Sequence, residues 1–201
     1  MPDMPPPLIS ELQVTAPRLA PSPGDAAFAL TTLRIETLAT APRLDEALRG
    51  EPGVALFRRT GSEVANPTIQ GLSLRAIAPS GAGRTLVTLD GAPQNDPFGG
   101  WVIWSALPPE GLAAAQIIKG SGAGPYGAGA LTGVVALSER APAQGLSALD
   151  VSAGSRGTYR AAAALGMENL LAVVSGSPTE GYVPIRGAGR GRVDQPAGLN
   201  Q

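Results

Sequence analysis

Cysteine and histidine are both absent from the 201 residues. Without them the chain offers no thiol or imidazole nucleophile, no Ser-His-Asp triad, and none of the usual ligands for structural zinc or haem. Aromatic residues make up only 4% of the sequence, and much of its apolar content is alanine. A core built from such small side chains buries little area per residue and gains from outside support.

Charge and long apolar runs are also scarce. The 15 basic and 16 acidic residues give a net charge of -1. The group Arg186, Arg190 and Arg192 is too small to displace the counterions of a nucleic acid, so we expect no nucleic-acid partner. No apolar run approaches the roughly 18 residues of a membrane-spanning helix. The first residues contain no basic segment, so no secretory signal is visible.

Glycine and proline are abundant, with 27 and 20 residues, which favours turns and loops over long helices. The proline-rich residues 1–29 are predicted to form a flexible tail. Inside it, one short segment alternates apolar and polar side chains, as a strand does when it pairs with the edge of a partner. Its residues are Glu11, Leu12, Gln13, Val14, Thr15 and Ala16. The alternative interpretation is an ordinary tail without a partner.

Short elements separated by loops are predicted for residues 30–141. A short amphipathic helix is expected within 42–50, with Leu44, Ala47 and Leu48 on one face. Apolar runs predict strands at 54–57, 85–89, 115–119 and 133–137. Asp90 and Gly91 follow the second of these runs, and this dipeptide is typical of a tight hairpin turn. The pattern predicts a small α+β domain with a short mixed sheet, small helices and long glycine-rich loops.

In the last part of the chain, residues 142–201, apolar side chains recur at every second position of several short segments. Leu149, Val151 and Ala153 alternate with polar or small residues, and similar patterns recur at 159–165 and 170–175. This alternation is what the strands of a transmembrane β-barrel require. Three strands cannot close a barrel and would leave edges unpaired, so we expect only the first strands of a truncated antiparallel barrel.

A glycine-rich run at 120–133 matches G-x-G-x-x-G by spacing alone. The loop of a dinucleotide-binding domain opens a helix, whereas Pro125 interrupts this run and a strand is predicted to follow it. We interpret the run as tight turns, so no cofactor is expected.

The aromatic residues Phe98, Trp101 and Trp104 cluster in and beside one predicted loop. One interpretation is that they pack the domain; the other is that they face a solute, because such rings stack on sugars and on the aromatic groups of metal chelates. Asp90 is explained by its turn and Asp96 by its loop, and no carboxylate pair suited to hydrolysis is visible. We therefore predict no catalytic residue and no metal site, and the chain is not expected to be an enzyme.

Several blocks, taken in order, resemble the plug domain of TonB-dependent outer-membrane receptors. The helix at 44–48 and the following Pro-Gly resemble the start of the plug, and Gln70 stands where the family's Ile-Arg-Gly block usually has arginine. The strand at 85–89 with its Asp-Gly turn is similar to a second block, and the glycine-rich run with its Tyr-Gly is similar to the last one. The residues that carry the resemblance are Pro52, Gly53, Gln70, Gly71, Asp90, Gly91, Gly120, Tyr126 and Gly127.

The resemblance implies a tail at 1–29, a plug at 30–141 and the start of a barrel at 142–201, in a family whose barrels have about 22 strands. It also implies a monomeric receptor in the outer membrane of a Gram-negative bacterium, in contact with outer-membrane lipid, with its plug facing the periplasm. Its function would be energy-coupled uptake of a scarce solute, such as a ferric siderophore or another metal chelate.

The segment at 11–16 lies where the family has its TonB box, so the resemblance implies binding to the TonB protein. The alternative function is a stand-alone periplasmic plug-like module that binds or interacts without transport.

Overall fold

The computed structural model describes residues 29–39, 41–56, 62–64, 70–75, 84–120, 126–127, 129–183, 187–189, 191–192, 196 and 198–200. The predicted TonB-box-like segment at 11–16 therefore lies outside the described residues, as do Phe57, Pro125, Arg186 and Arg190.

A five-stranded mixed sheet forms the centre of the plug segment, as we call residues 30–141. In spatial order its strands are Ala29–Arg34 (β1), Leu112–Lys119 (β6), Gly133–Glu139 (β7), Thr85–Leu89 (β4) and Ala92–Pro93 (β5). Neighbours are antiparallel except for β4 and β7, which are parallel. The predicted strands at 85–89, 115–119 and 133–137 are confirmed, and the last two extend further than predicted.

Strand β1 is not predicted by the sequence pattern, and it begins at Ala29, the last residue of the predicted tail. Of its six residues only Leu33 is buried, so the strand lacks the alternation that identifies a half-buried strand. It forms because β6 offers it a complete antiparallel edge, from Ala29 opposite Lys119 to Arg34 opposite Ala114.

Small elements cover one side of this sheet. They are the helices Ile35–Leu38 (α1) and Leu44–Arg49 (α2) and the paired strands Val54–Ala55 (β2) and Ser73–Leu74 (β3). Helix α2 confirms the helix predicted within 42–50 and is shorter than that segment. The strand predicted at 54–57 is confirmed only for its first two residues.

One hydrophobic core joins the helices to the sheet. Its fully buried members come from both layers, and burying each large aliphatic side chain contributes roughly 1.5–3 kcal/mol. Its largest fully buried aliphatic side chains are Leu38, Leu44, Leu48, Leu74, Val87, Val102, Ile117, Val135 and Leu137.

The C-terminal strands form a three-stranded antiparallel meander. They are Gly145–Ala153 (β8), Tyr159–Met167 (β9) and Leu170–Gly176 (β10), with β9 in the middle. We call this unit the meander sheet; it confirms the three strands predicted from the period-two pattern. A further pair, Pro178–Thr179 (β11) and Leu199–Asn200 (β12), follows it.

The two faces of the meander sheet differ in exposure. On β9, the buried positions are Arg160, Ala162, Ala164 and Gly166, and they alternate with more exposed ones. Large apolar side chains cover the other face, and the exposed ones are Leu146, Leu149, Val151, Tyr159, Leu165, Met167, Leu170 and Val174. In the described part of the chain, no helix is long and apolar enough to cross a membrane.

Candidate functional site

A closed loop at 94–102 leads out of the mixed sheet, and Asn95 fastens its start to β4. The side-chain amide nitrogen of Asn95 donates to the carbonyl oxygens of Thr85 and Gly100, both at 3.1 Å. Its side-chain oxygen accepts the backbone N–H of Val87 at 2.7 Å. One side chain thus ties together a strand and the far end of the loop.

Asp96 shapes the tip of the same loop. Its Oδ1 accepts the backbone N–H groups of Phe98 at 2.9 Å and Gly99 at 2.7 Å. Its backbone carbonyl accepts the N–H of Gly100 at 2.9 Å, and its own N–H donates to the carbonyl of Trp101 at 2.8 Å. These bonds confirm Asp96 as a loop-forming acid and hold the turn in one shape.

The three predicted aromatic residues occupy three different environments. Phe98 is 97% exposed at the tip of the loop. Trp101 is half-buried, and its ring lies so close to Gly99 that a β-carbon there would come within 1.6 Å of Cζ3. Trp104 is 2% exposed and belongs to the core. The hypothesis that Trp104 faces a solute is wrong for this conformation, because its ring is covered by the plug segment itself.

The loop therefore presents one phenyl ring on a fixed turn. An open cavity of about 440 Å³ lies beside it, lined also by Leu86 and Gly129. Among the described residues that line this cavity, the only charged side chain is that of Asp96. The site is suited to apolar or aromatic contact rather than to binding an anion.

The remaining residues that carry the family resemblance serve the fold around this loop. Gln70 and Gly71 are buried, and the carbonyl of Gln70 accepts the N–H of Val102 at 3.0 Å, which closes the loop. Next to Pro52, Gly53 has a φ of +83° and accepts the N–H of Arg75 at 2.6 Å. Gln70 is thus a core residue whose backbone carbonyl holds the end of the loop at Val102.

Asp90 and Gly91 form the predicted hairpin turn between β4 and β5. Their φ values are +46° and +89°, as a tight two-residue turn requires. Asp90 also links to β7, because its Oδ1 accepts the N–H of Glu139 at 3.2 Å. The turn interpretation of Asp90 is confirmed.

The glycine-rich run is described only in part. Gly120 is buried and donates to the carbonyl of Thr132 at 3.3 Å. Gly127 has a φ of +82° and accepts the N–H of Ala130, while Tyr126 next to it is 36% exposed. These contacts fit the turn interpretation of the run.

A second candidate region lies where the plug segment meets the meander sheet. The short 3-10 turn Pro109–Gly111 touches all three strands of the meander. Arg160 on β9 reaches this turn, with Nη1 2.8 Å from Glu110 Oε1 and Nη2 2.9 Å from Glu110 Oε2. The same Nη1 lies 2.6 Å from Oδ1 of Asp150 on β8. We call this contact region the seam.

Close packing extends the seam beyond the charges. A β-carbon on Gly111 would lie 3.8 Å from Cβ of Val173 on β10 and 3.0 Å from its Cγ2. The carbonyl of Gly111 accepts the N–H of Arg140, whose guanidinium in turn donates to the carbonyl of Ser147 on β8. The 3-10 turn is therefore held to the meander by ionic and apolar contacts, and Arg140 links the turn to β8 through two further hydrogen bonds.

The sequence interpretation did not identify Glu110 and Arg160 as site residues. The signal that could have found them was Arg160 itself, which occupies an inward position on a strand whose other inward residues are alanine and glycine. A buried arginine needs an acid partner, because an unpaired charge is costly to remove from water. The identity of that partner could not be read from the sequence.

Metal binding finds no support in the described part of the chain, where no group of three or more acidic residues could hold an ion.

One known protein family matches this chain. The family described as TonB-dependent Receptor Plug Domain matches residues 24–134, which is more than half of the 201 residues. The chain belongs to the TonB-dependent receptor plug family. The resemblance seen in the ordered sequence blocks is thereby confirmed, and the mixed-sheet domain is the plug.

Solved structures share this fold at low sequence identity. The ferric-catecholate import receptor Fiu from E. coli matches with a TM-score of 0.56 and 19% identity, over 78% of this chain and 21% of Fiu. The ferric yersiniabactin uptake receptor FyuA from Yersinia pestis and the copper transporter OprC each match with a TM-score of 0.53 and 18% identity, over 76% of this chain and 24% of theirs. No curated protein matches the chain.

The structural matches cover a larger share of the chain than the plug family does, so they extend past the plug into the following strands. The fold is therefore a plug followed by antiparallel strands of the kind that begin the barrel in these proteins. The chain spans about a quarter of the length of the solved structures that it matches.

Proposed function

We propose that these residues form the gate and the first barrel strands of a TonB-dependent outer-membrane receptor that takes up a scarce solute. The observation that carries the proposal is the plug match over residues 24–134. A plug fills the lumen of a large barrel, so its function is to block the path until energy is supplied from the periplasmic side. The protein is in this view a gated transporter of a Gram-negative outer membrane, and it acts as a monomer.

The meander sheet supports a membrane location over the alternative of a soluble periplasmic module. Its outward face carries exposed leucine, valine, methionine and tyrosine side chains, whereas three of the four buried positions of its middle strand are alanine or glycine. Soluble monomers rarely expose a contiguous apolar face of this kind. The same alternation is the expected pattern of a strand between lipid and lumen.

Metal chelates are the solute class that we propose. The similar structures named above are described as receptors or transporters for ferric catecholate, ferric yersiniabactin and copper. In this chain, Phe98 and Trp101 lie on an exposed loop of the plug, and an aromatic ring there could stack on the organic part of such a chelate. No metal ligand of the protein itself is needed for this contact.

The segment at 11–16 is proposed to pair with the TonB protein as an added strand. Such pairing depends on main-chain hydrogen bonds, so it tolerates most side-chain changes but not the loss of a donor. Val14→Pro removes one N–H and is expected to reduce TonB binding at least about tenfold and to stop uptake. Binding is measured with a purified periplasmic TonB fragment, and uptake with radiolabelled ferric chelates in cells.

The matched control is Val14→Thr, which keeps both the N–H and a β-branched side chain and is expected to bind TonB normally. Normal TonB binding by the proline variant would reject the proposed role of this segment. Normal uptake by that variant would reject energy coupling through it.

Phe98→Ala is expected to weaken solute binding without loss of stability. The ring is almost fully exposed, so its removal should change the free energy of unfolding by less than about 0.5 kcal/mol. A lost aromatic stack should weaken binding about three- to tenfold. The affinity is measured by titrating the protein with ferric chelates and recording its intrinsic fluorescence. Tyr126→Phe is the control variant. Equal affinity in the Phe98 variant would show that this loop does not contact the solute.

A further inference from the structure

Three charged side chains meet at the seam although they come from separate parts of the chain. Glu110 lies in the last turn before β6, Asp150 in the first meander strand and Arg160 in the second. The side chain of Arg160 is 8% exposed, that of Glu110 is 10% exposed and that of Asp150 is 42% exposed. The ion pair between Glu110 and Arg160 is therefore buried between the plug and the meander sheet.

The two acids make different contacts with the guanidinium. Glu110 uses both carboxylate oxygens on two nitrogens of Arg160, which is the strong bidentate geometry. Asp150 uses one oxygen, and it lies on the strand next to Arg160 in the same sheet. Asp150 thus orients Arg160 within the meander sheet, whereas only Glu110 reaches across from the plug.

We propose that Glu110 and Arg160 form an ionic latch that holds the plug against the first barrel strands, with Asp150 as the positioning residue for Arg160. The latch rests on the geometry of the seam, and its link to uptake rests on the proposed function above. Any movement that draws the plug turn away from β9 must separate these two charges.

The physical behaviour of a buried ion pair gives the latch its switch-like character. The two hydrogen bonds of a bidentate pair are lost over a short separation, and each charge left behind in a water-poor seam is destabilised until water reaches it. The neighbouring contact between Gly111 and Val173 is van der Waals packing, which also falls off steeply with distance. The ion pair therefore favours a fully closed seam over a slightly open one.

The test measures how often the seam opens. The reporter is one cysteine on the apolar side of the seam, which a maleimide reagent labels when the seam is open. The 201 residues contain no cysteine, so Val173→Cys provides a reporter that packs against Gly111 when the seam is closed. The complete protein is purified from its host in detergent. The rate of maleimide labelling at position 173 is then measured by mass spectrometry of its peptides. Val174→Cys, the next residue on the opposite, exposed face, is the control reporter.

Glu110→Gln and Arg160→Gln, each combined with Val173→Cys, are expected to raise the labelling rate at least about tenfold, because the first removes the bidentate partner of Arg160 and the second leaves the buried charge of Glu110 without its partner. Both changes together should give no larger increase than the stronger single variant, since they remove the same contact. Labelling at position 174 should not change.

Rates within about twofold of the parent in both single variants would overturn the latch. So would single effects that multiply in the double variant, because they would show that the two residues act independently. If one single variant does not fold, the other single variant decides alone: a tenfold rise supports the latch and an unchanged rate rejects it. Glu168→Gln, in the turn between β9 and β10, controls for loss of one negative charge. Since labelling needs no transport, failure here is distinct from failure of the uptake proposal.

Discussion

Gly133→Ala is expected to destabilise the plug by about 3–5 kcal/mol, because it adds both backbone strain and a steric clash. Gly133 has a φ of +143°, a conformation that residues with a β-carbon rarely adopt. A β-carbon at this position would lie 2.2 Å from the carbonyl oxygen of Ile118 and 2.6 Å from Cδ1 of Leu74. Neither distance is compatible with a normal contact.

The clash cannot be relieved locally, since Gly133 sits at a junction of three strands. It pairs with Lys119 on β6 and with Thr85 on β4, at the start of the parallel pair in the mixed sheet. Moving the carbonyl of Ile118 would disturb the β6–β7 ladder, and moving Leu74 would open the core. We therefore expect the cost to appear as lost stability rather than as a small rearrangement.

Equilibrium unfolding in urea checks this prediction, and Gly91→Ala is its matched control. Gly91 also has a positive φ, +89°, but a β-carbon added there would meet no other atom within 4 Å. The control should therefore lose only the strain energy, about 1 kcal/mol. If the two variants were equally stable, the steric argument for Gly133 would be wrong.

The plug fold was largely predictable from the sequence because its central strands are short runs of β-branched and aliphatic residues bounded by turns. The strand at 85–89 and the Asp-Gly turn after it are examples, since both follow from local chemistry alone. Strand β1 was not predictable in this way. Its pairing with β6 is a contact between residues 80 to 90 positions apart, and its own residues are mostly exposed.

The candidate sites were less predictable for a similar reason. Which of Phe98, Trp101 and Trp104 is exposed depends on how the loop closes, and that is set by bonds from Asn95 to β4. The seam requires a glutamate and an arginine 50 residues apart to meet across two units of the fold. Periodicity indicates that Arg160 points inward, but it gives no information about what lies opposite.

In the double variant Gly111→Cys/Val173→Cys, a disulfide formed across the seam is expected to stop uptake of the solute. The β-carbon positions of the two residues lie 3.8 Å apart, which is close to the ideal separation for a disulfide. When oxidised, the bond fixes the plug turn to β10 covalently, so energy supplied through TonB cannot draw this part of the plug from the barrel strands. Uptake of a ferric chelate should fall at least about tenfold and recover after reduction, as measured in cells treated with oxidant and then with dithiothreitol.

The control disulfide, Val151→Cys/Ala161→Cys, joins register partners on β8 and β9 and so ties the meander sheet only to itself. The distance between Cα atoms in any antiparallel pair suits a disulfide, and this bond should leave uptake unchanged. Full uptake with the seam disulfide completely formed would mean that solute passes while the plug stays attached at Gly111. The path would then have to open elsewhere in the plug, and the latch would be a fixed anchor about which the rest of the plug moves.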